Sequence, residues 1–100
     1  MKPLVSLCLP TYRRERYLGR TIASALAQTE SDFEIVVVDD CSPDASAAVV
    51  ERFADPRVRY VRNRENLGVP ENLNRAFSLA RGEFLLLLED HDLLAPAFLA

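Results

Sequence analysis

An α/β fold, an open and mostly parallel sheet with helices on both faces, is what this chain predicts, and three observations carry the expectation. Four apolar runs of strand length alternate with three stretches of helical period, giving the order β-α-β-α-β-α-β, which right-handed crossovers turn into a parallel sheet. Two of the runs, residues 35–38 and 84–88, are apolar at every position, the pattern of strands covered on both faces. Both are followed at once by acidic clusters, Asp39-Asp40 and Glu89-Asp90-His91-Asp92. Residues directly after a parallel strand emerge at the carboxyl edge of the sheet, where open α/β sheets bind ligands. Charges crowded there repel one another unless a cation or hydrogen-bond donors stand between them, so the arrangement suggests a metal and a nucleotide.

Residues 4–9 read as strand one, stopped by Pro10, which donates no ladder bond and disfavours a helical residue before it. From Tyr17 the period changes. Leu18, Thr21, Ile22, Ala25 and Leu26 recur at helical spacing, with Arg16, Arg20 and Gln28 on the other face. Residues 33–38 form strand two. Ser42 as N-cap and Pro43 at the first helical position open helix two, which Ala45, Ala48, Val49, Arg52 and Phe53 continue and Asp55-Pro56 close. Val58 and Tyr60, flanked by Arg57, Arg59 and Arg62, make a short third strand whose exposed arginines mark a sheet edge. A turn over 66–70 leads into a helix lined by Leu73, Ala76, Phe77 and Ala80 and stopped at Gly82. Residues 83–88 are strand four, and a further apolar segment begins at Leu93.

One hundred residues make at most one domain, and residues 1–100 are read as that domain. With 49% apolar and 27% charged residues the chain is an ordinary soluble globular sequence, which excludes disorder. A net charge of -3 gives no footprint for nonspecific nucleic-acid binding, although arginines cluster at 13–20 and 57–64. Cys8 and Cys41 are too few for a disulfide framework and match no zinc spacing, so free thiols in a reducing compartment are expected. The first apolar stretch is too short for a signal peptide, and no run approaches a transmembrane helix. A cytoplasmic location is expected, membrane-peripheral in a longer protein.

Pro10-Thr11-Tyr12 comes after strand one and so lies at the same edge as the acids. Thr11 offers a hydroxyl and Tyr12 a flat face for stacking on a base, although such a pair is also ordinary loop chemistry. An acid after strand two of a Rossmann-like sheet commonly accepts from a ribose or base; the other reading of Asp39-Asp40 is compensation of the dipole of helix two. In the second cluster Asp90 and Asp92, and likewise Glu89 and His91, are separated by one residue, which sets hard oxygen ligands and one imidazole in a single turn. Manganese or magnesium suits that set and would neutralise a diphosphate leaving group; the alternative is a solvated acidic turn. No Gly-x-Gly-x-x-Gly occurs among only three glycines, which argues against a dinucleotide-binding domain and against a P-loop.

Residues 5–12, Tyr17-Leu18, residues 24–29, residues 32–42, Asn66-Leu67-Gly68-Val69, Asn74-Arg75-Ala76, residues 80–84 and the acidic turn with Pro96 after it form an ordered set of motifs covering nearly the whole chain. In these residues the chain resembles the amino-terminal half of an inverting, GT-A-type family 2 glycosyltransferase. The resemblance implies transfer of a sugar from a nucleoside diphosphate sugar, with a leaning to UDP, to a hydroxyl of a glycan, lipid or small-molecule acceptor. It implies nucleotide contacts from Pro10, Thr11, Tyr12, Asp39, Asp40, Asn74, Arg75 and Asp90, with Thr11, Tyr12 and Asp40 at the base. It also implies a divalent cation, Mn2+ or Mg2+, held by Glu89, Asp90, His91 and Asp92 as the counterpart of the family's Asp-x-Asp motif. The family's catalytic base, usually an aspartate, is expected beyond Ala100, so this segment is the donor-binding half, with a sheet edge open to self-association.

The sequence departs from the family pattern twice. Arg13 stands where the family often has Asn, and the acidic turn replaces the usual Asp-x-Asp-Asp, which leaves Glu89-x-His91 and Asp90-x-Asp92 as alternative metal registers. A non-catalytic nucleotide-binding module is the rival reading. A CheY-like phosphoacceptor domain also places acids at the edge, but it wants a lysine late in the chain, and the sole lysine is Lys2. The registers differ in their pH response. If His91 is a ligand it must be neutral, so manganese affinity should fall between about pH 7.5 and about pH 5.5 and should drop in His91→Ala. Flat affinity in both proteins would assign the metal to Asp90 and Asp92.

Overall fold

Seven elements alternate along the described residues, 3–28 and 32–89 of the computed structural model. They are β1 (Val5–Thr11), α1 (Glu15–Leu26), β2 (Phe33–Asp39), α2 (Ser46–Glu51), β3 (Val58–Arg62), α3 (Val69–Leu79) and β4 (Phe84–Leu87). The strands form one sheet in the order β3-β2-β1-β4, and every pair is parallel. Successive side chains on a strand face opposite ways, which divides the core in two. Val5, Leu7, Leu9, Phe33, Ile35 and Val37 pack with Leu18, Ile22 and Ala25 of α1 and Val49 and Val50 of α2. Cys8, Val36 and Val38 pack with Ala76 of α3 in a second cluster. Helices therefore cover both faces, as the sequence predicts, and β2 is buried at all seven positions. Burial, and then the charge of Glu34, push the Cys8 thiol up to about 11, so it serves as a neutral packing group.

Four expectations are corrected. Strand one does not stop at Pro10: β1 runs through it to Thr11, with Pro10 opposite Val38. The Cys8 carbonyl accepts from Leu88 N–H on the β4 side and the Thr11 carbonyl accepts from Asp40 N–H on the β2 side. Alternate residues thus face β4 and β2, and Pro10 lacks its donor on the β4 side, beyond the last registered pair Cys8 with Leu87. Helix two begins at Ser46, not after Ser42 and Pro43. The Asp44 carboxylate accepts from Ser46 N–H at 3.1 Å and Ser46 Oγ at 2.6 Å, while Ser42 is drawn toward the sheet by the Asp39 carboxylate.

Gly82 is not a left-handed helix cap. Helix α3 ends at Leu79, and a Cβ on Gly82 would lie 2.7 Å from the Ser6 nitrogen, so glycine is needed for close approach to β1. Strand β4 is not buried on both faces. It lies at the edge of the sheet and Phe84, Leu85, Leu86 and Leu87 are 37 to 60% exposed, because no described residue is paired outside it. Leu88, the next residue, returns to the core.

The amino end of the sheet is tied by a buried polar cluster. Glu34 on β2 accepts from Ser6 Oγ on β1 at 2.5 Å, from Arg59 Nη1 on β3 at 2.7 Å and from the Arg81 N–H that leads into β4 at 2.7 Å. Arg59 also donates to the Leu79 carbonyl, and Ser6 Oγ accepts from Gly82 N–H. Three strands and the α3–β4 turn thus meet at one carboxylate. Burial works against its charge, but the Ser6, Arg81 and Arg59 hydrogen bonds and the Arg59 charge outweigh it and hold Glu34 below the usual carboxylate range. A depressed folded value means stability that is present above the unfolded value and lost as pH falls through the folded one. Glu34→Gln should therefore lower the urea-unfolding free energy by roughly 2 kcal/mol near neutral pH. The gap to the wild type should close as pH falls below the ordinary value of 4.5. A gap that persists in acid would assign the loss to packing.

Candidate functional site

The chain steps from β1 to β2 to β3 in one direction and then crosses back to place β4 on the other side of β1. The switch point between β1 and β4 leaves a crevice at the carboxyl ends of the strands, where doubly wound sheets hold ligands. A cavity of about 330 Å³ lies there. It is lined by Pro10, Thr11, Tyr12 and Arg14 from the β1–α1 connection, Asp40 after β2, Val69, Asn72 and Leu73 at the start of α3, and Leu87 and Glu89 at the end of β4. The volume and the mixture of apolar walls with a few polar groups suit a small organic ligand.

Thr11 is 2% exposed and its Oγ1 has no hydrogen-bond partner. A buried hydroxyl left without a partner costs roughly 1–3 kcal/mol, so one that lines a cavity is poised for a ligand. Tyr12 beside it is 38% exposed, with the Arg13 guanidinium carbon 5.3 Å from its ring centroid. The expected stacking face and hydroxyl are thus adjacent in the cavity wall.

The two acids after β2 have separate duties. Asp39 is 1% exposed and does not line the cavity. Its Oδ1 accepts from Ser42 N–H at 2.9 Å and its Oδ2 from Tyr60 Oη–H at 2.6 Å. Burial, followed by that hydrogen bond, pushes the Tyr60 pKa well up. Ser42, so anchored, accepts from Arg13 N–H through its Oγ at 2.9 Å, which ties the loop after β2 to the loop after β1. Asp40 lines the cavity, but its carboxylate already accepts from Asn63 Nδ2 at 2.9 Å, Leu67 N–H at 2.8 Å and Gly68 N–H at 3.0 Å. Asn63 Nδ2 also reaches Asn72 Oδ1, and Asn72 donates to the Val38 carbonyl. Asn63 after β3 and the two amides of the turn into α3 take three of the four acceptor positions of Asp40, and the fourth is left open.

Two residues next in sequence to lining residues stand in the left-handed region, Arg13 with φ 56° and Cys41 with φ 64°. Each costs about 1–3 kcal/mol, held by the surrounding hydrogen bonds. Gly68 with φ 90° meets a similar demand without cost as the residue before α3.

Of the residues named from sequence, Pro10, Thr11, Tyr12, Asp40 and Glu89 come together, while Asn74 and Arg75 lie exposed on α3 away from the lining. Asp90, His91 and Asp92 lie outside the described residues. Among the described residues no group of three His, Cys, Asp or Glu side chains could hold a metal. Asn72, which sequence reasoning missed, shares a helix face with Ala76 four residues on, and that spacing places it inward. Leu73 is expected on the inward face of that helix and Val69 in the motif before it, whereas Asn63 and Arg14 carry no comparable signal.

A parallel doubly wound sheet with its crevice beside β1 and β4 is an architecture of GT-A glycosyltransferases, and comparisons with known proteins agree on that fold. The family model of glycosyl transferase family 2 matches residues 6–100, and the chain belongs to that family. The succinoglycan biosynthesis protein ExoO of Rhizobium meliloti is 38% identical over 94 residues, covering 94% of this chain and 27% of that protein. Residues 1–349 of S. aureus TarS, in a crystal structure with UDP, superpose with a TM-score of 0.90 at 32% identity, covering 96% of this chain and 30% of that one. The mannosyltransferase PcManGT from Pyrobaculum calidifontis, in complex with GDP-Man and Mn2+, gives 0.86 at 28% identity, covering 98% and 30%. The chain thus spans about a third or less of the length of these relatives.

The structural role of Asp40 can be measured. Asp40→Asn puts an amide donor against groups that already donate, so the unfolding free energy should fall by roughly 1.5–3 kcal/mol. The Leu67 and Gly68 amides should exchange faster with deuterium. Unchanged exchange at both would mean that the turn is held by other contacts.

Proposed function

We propose that this segment binds the nucleotide of a sugar donor in the β1–β4 cavity, as the donor half of an enzyme that moves a glycosyl group from the diphosphate to an acceptor hydroxyl. The observation that carries the reading is the unpartnered Thr11 hydroxyl beside the exposed Tyr12 ring in the cavity wall. A base stacks on Tyr12, hydrogen-bonds to the Thr11 hydroxyl and donates to the remaining acceptor position of Asp40. Similarity to proteins crystallised with UDP and with GDP-Man supports a nucleoside diphosphate sugar, and TarS with UDP at the higher TM-score favours uridine.

In the transfer, the acceptor oxygen attacks the anomeric carbon, the bond from that carbon to the diphosphate breaks, and a base takes the hydroxyl proton, inverting the configuration. Glu89, exposed after β4 and in the cavity lining, would hold Mn2+ or Mg2+ together with Asp90, His91 or Asp92, and such an ion would supply positive charge to the departing diphosphate. A glycan acceptor fits the similarity to ExoO, a succinoglycan biosynthesis protein. The thiols of Cys8 and Cys41 are free, which suits the cytoplasmic location we assign. The exposed β4 edge supports self-association of this segment.

Calorimetric titration with UDP, UDP-sugar and GDP, first with manganese and then with excess chelator, tests the proposal. Uridine nucleotides should bind more tightly than GDP, and chelation should weaken them. Equal affinity with and without metal would remove the metal from the reading. Binding of UDP-sugar without hydrolysis or transfer, in a protein extended to the length of its relatives, would favour the non-catalytic module.

A further inference from the structure

We infer that Arg13, the residue that departs from the family pattern, positions the nucleobase by bracing the ring of Tyr12; the inference rests on the nucleotide-binding role proposed for the cavity. Its guanidinium carbon lies 5.3 Å from the Tyr12 centroid, within cation–π range, and Tyr12 lines the cavity. No carboxylate among the described residues takes up its charge, unlike Arg57, which pairs with Asp55, and Arg59, which pairs with Glu34.

The backbone makes the contact more telling. Arg13 holds a φ of 56°, which asparagine or glycine adopts more readily than a long side chain does, and its N–H is pinned to Ser42 Oγ at 2.9 Å. The chain therefore keeps a strained cationic residue where a turn-forming residue would close the loop at lower cost. A guanidinium held on the ring restrains its rotation before the ligand arrives. A ring already ordered loses less freedom when a planar base stacks on it. Arg13 thus acts on the base through Tyr12, and not through the diphosphate, in this inference.

The test compares Arg13→Asn, which keeps the left-handed turn and removes the guanidinium, with Arg13→Lys, which retains a cation. UDP affinity is read by calorimetry and uridine affinity by NMR titration, which detects weak binding. Arg13→Asn should weaken UDP and uridine by the same factor, roughly two- to fivefold, and Arg13→Lys by less, with the melting temperature unchanged or raised. In a Tyr12→Ala background the Arg13→Asn change should add nothing, because its effect passes through the ring. A loss confined to UDP would overturn the inference in favour of a phosphate contact, as would a full additional loss in the Tyr12→Ala background. Unchanged affinity for both ligands in Arg13→Asn would overturn it while leaving the nucleotide site standing. A wild-type protein that binds neither uridine nor guanosine nucleotides would remove the nucleotide reading, and this inference with it.

Discussion

Two carboxylates side by side at the end of a fully buried strand are the constraint on which the carboxyl edge of this protein depends. Asp39 and Asp40 are both nearly inaccessible, and a buried carboxylate without donors is too costly to keep. Supplying donors shapes everything around them: Ser42 and Tyr60 converge on Asp39, while Asn63 and the Leu67 and Gly68 amides converge on Asp40. The loop after β1, the loop after β3 and the first turn of α3 are thereby referred to one point on β2. The cavity is the space that these satisfied loops leave beside β1 and β4.

The opposite end of the sheet repeats the device with one acid. Glu34 gathers Ser6, Arg59 and the Arg81 amide, so that β1, β2, β3 and the approach to β4 share a polar joint. Between the two joints the strands are apolar, and the parallel ladder is set by side-chain packing against α1 and α2 on one face and α3 on the other. The joints differ in purpose. The Glu34 cluster sits away from the cavity lining, with all its donors in the chain, whereas the edge with Asp39 and Asp40 keeps an acceptor position on Asp40 and the Thr11 hydroxyl for something else.

Among the described residues, strain is concentrated at the carboxyl edge of the sheet, beside the cavity. Arg13 and Cys41, the described non-glycine residues with positive φ, close the loops after β1 and β2. Ser42 links them, next to Cys41 in sequence and accepting from the Arg13 amide. Bending both loops sharply keeps Tyr12 and Asp40 close to the strand ends, where the sheet is stiff, and so keeps them in the wall of the cavity.

Element order, the parallel sheet, the inward faces of α1 and the membership of a glycosyltransferase family were legible from the sequence alone, because apolar period and ordered motifs are local properties. Thr11, Tyr12 and Asp40 were legible as cavity residues for the same reason, since each directly follows or ends a strand whose carboxyl edge the topology defines. Tertiary structure decided the rest. Pro10 stays within β1 because its missing donor falls beyond the reach of β4, which only the register reveals. Gly82 serves close approach to Ser6, a contact between residues far apart in sequence. The apolar run 84–87 reads as doubly buried but stands exposed, because burial depends on what packs outside a strand and composition does not record it. Asp39 and Asp40, neighbours of the same residue type, part company for the same reason: which donors reach each carboxylate is set by Tyr60, Asn63 and the turn before α3, brought there by the fold.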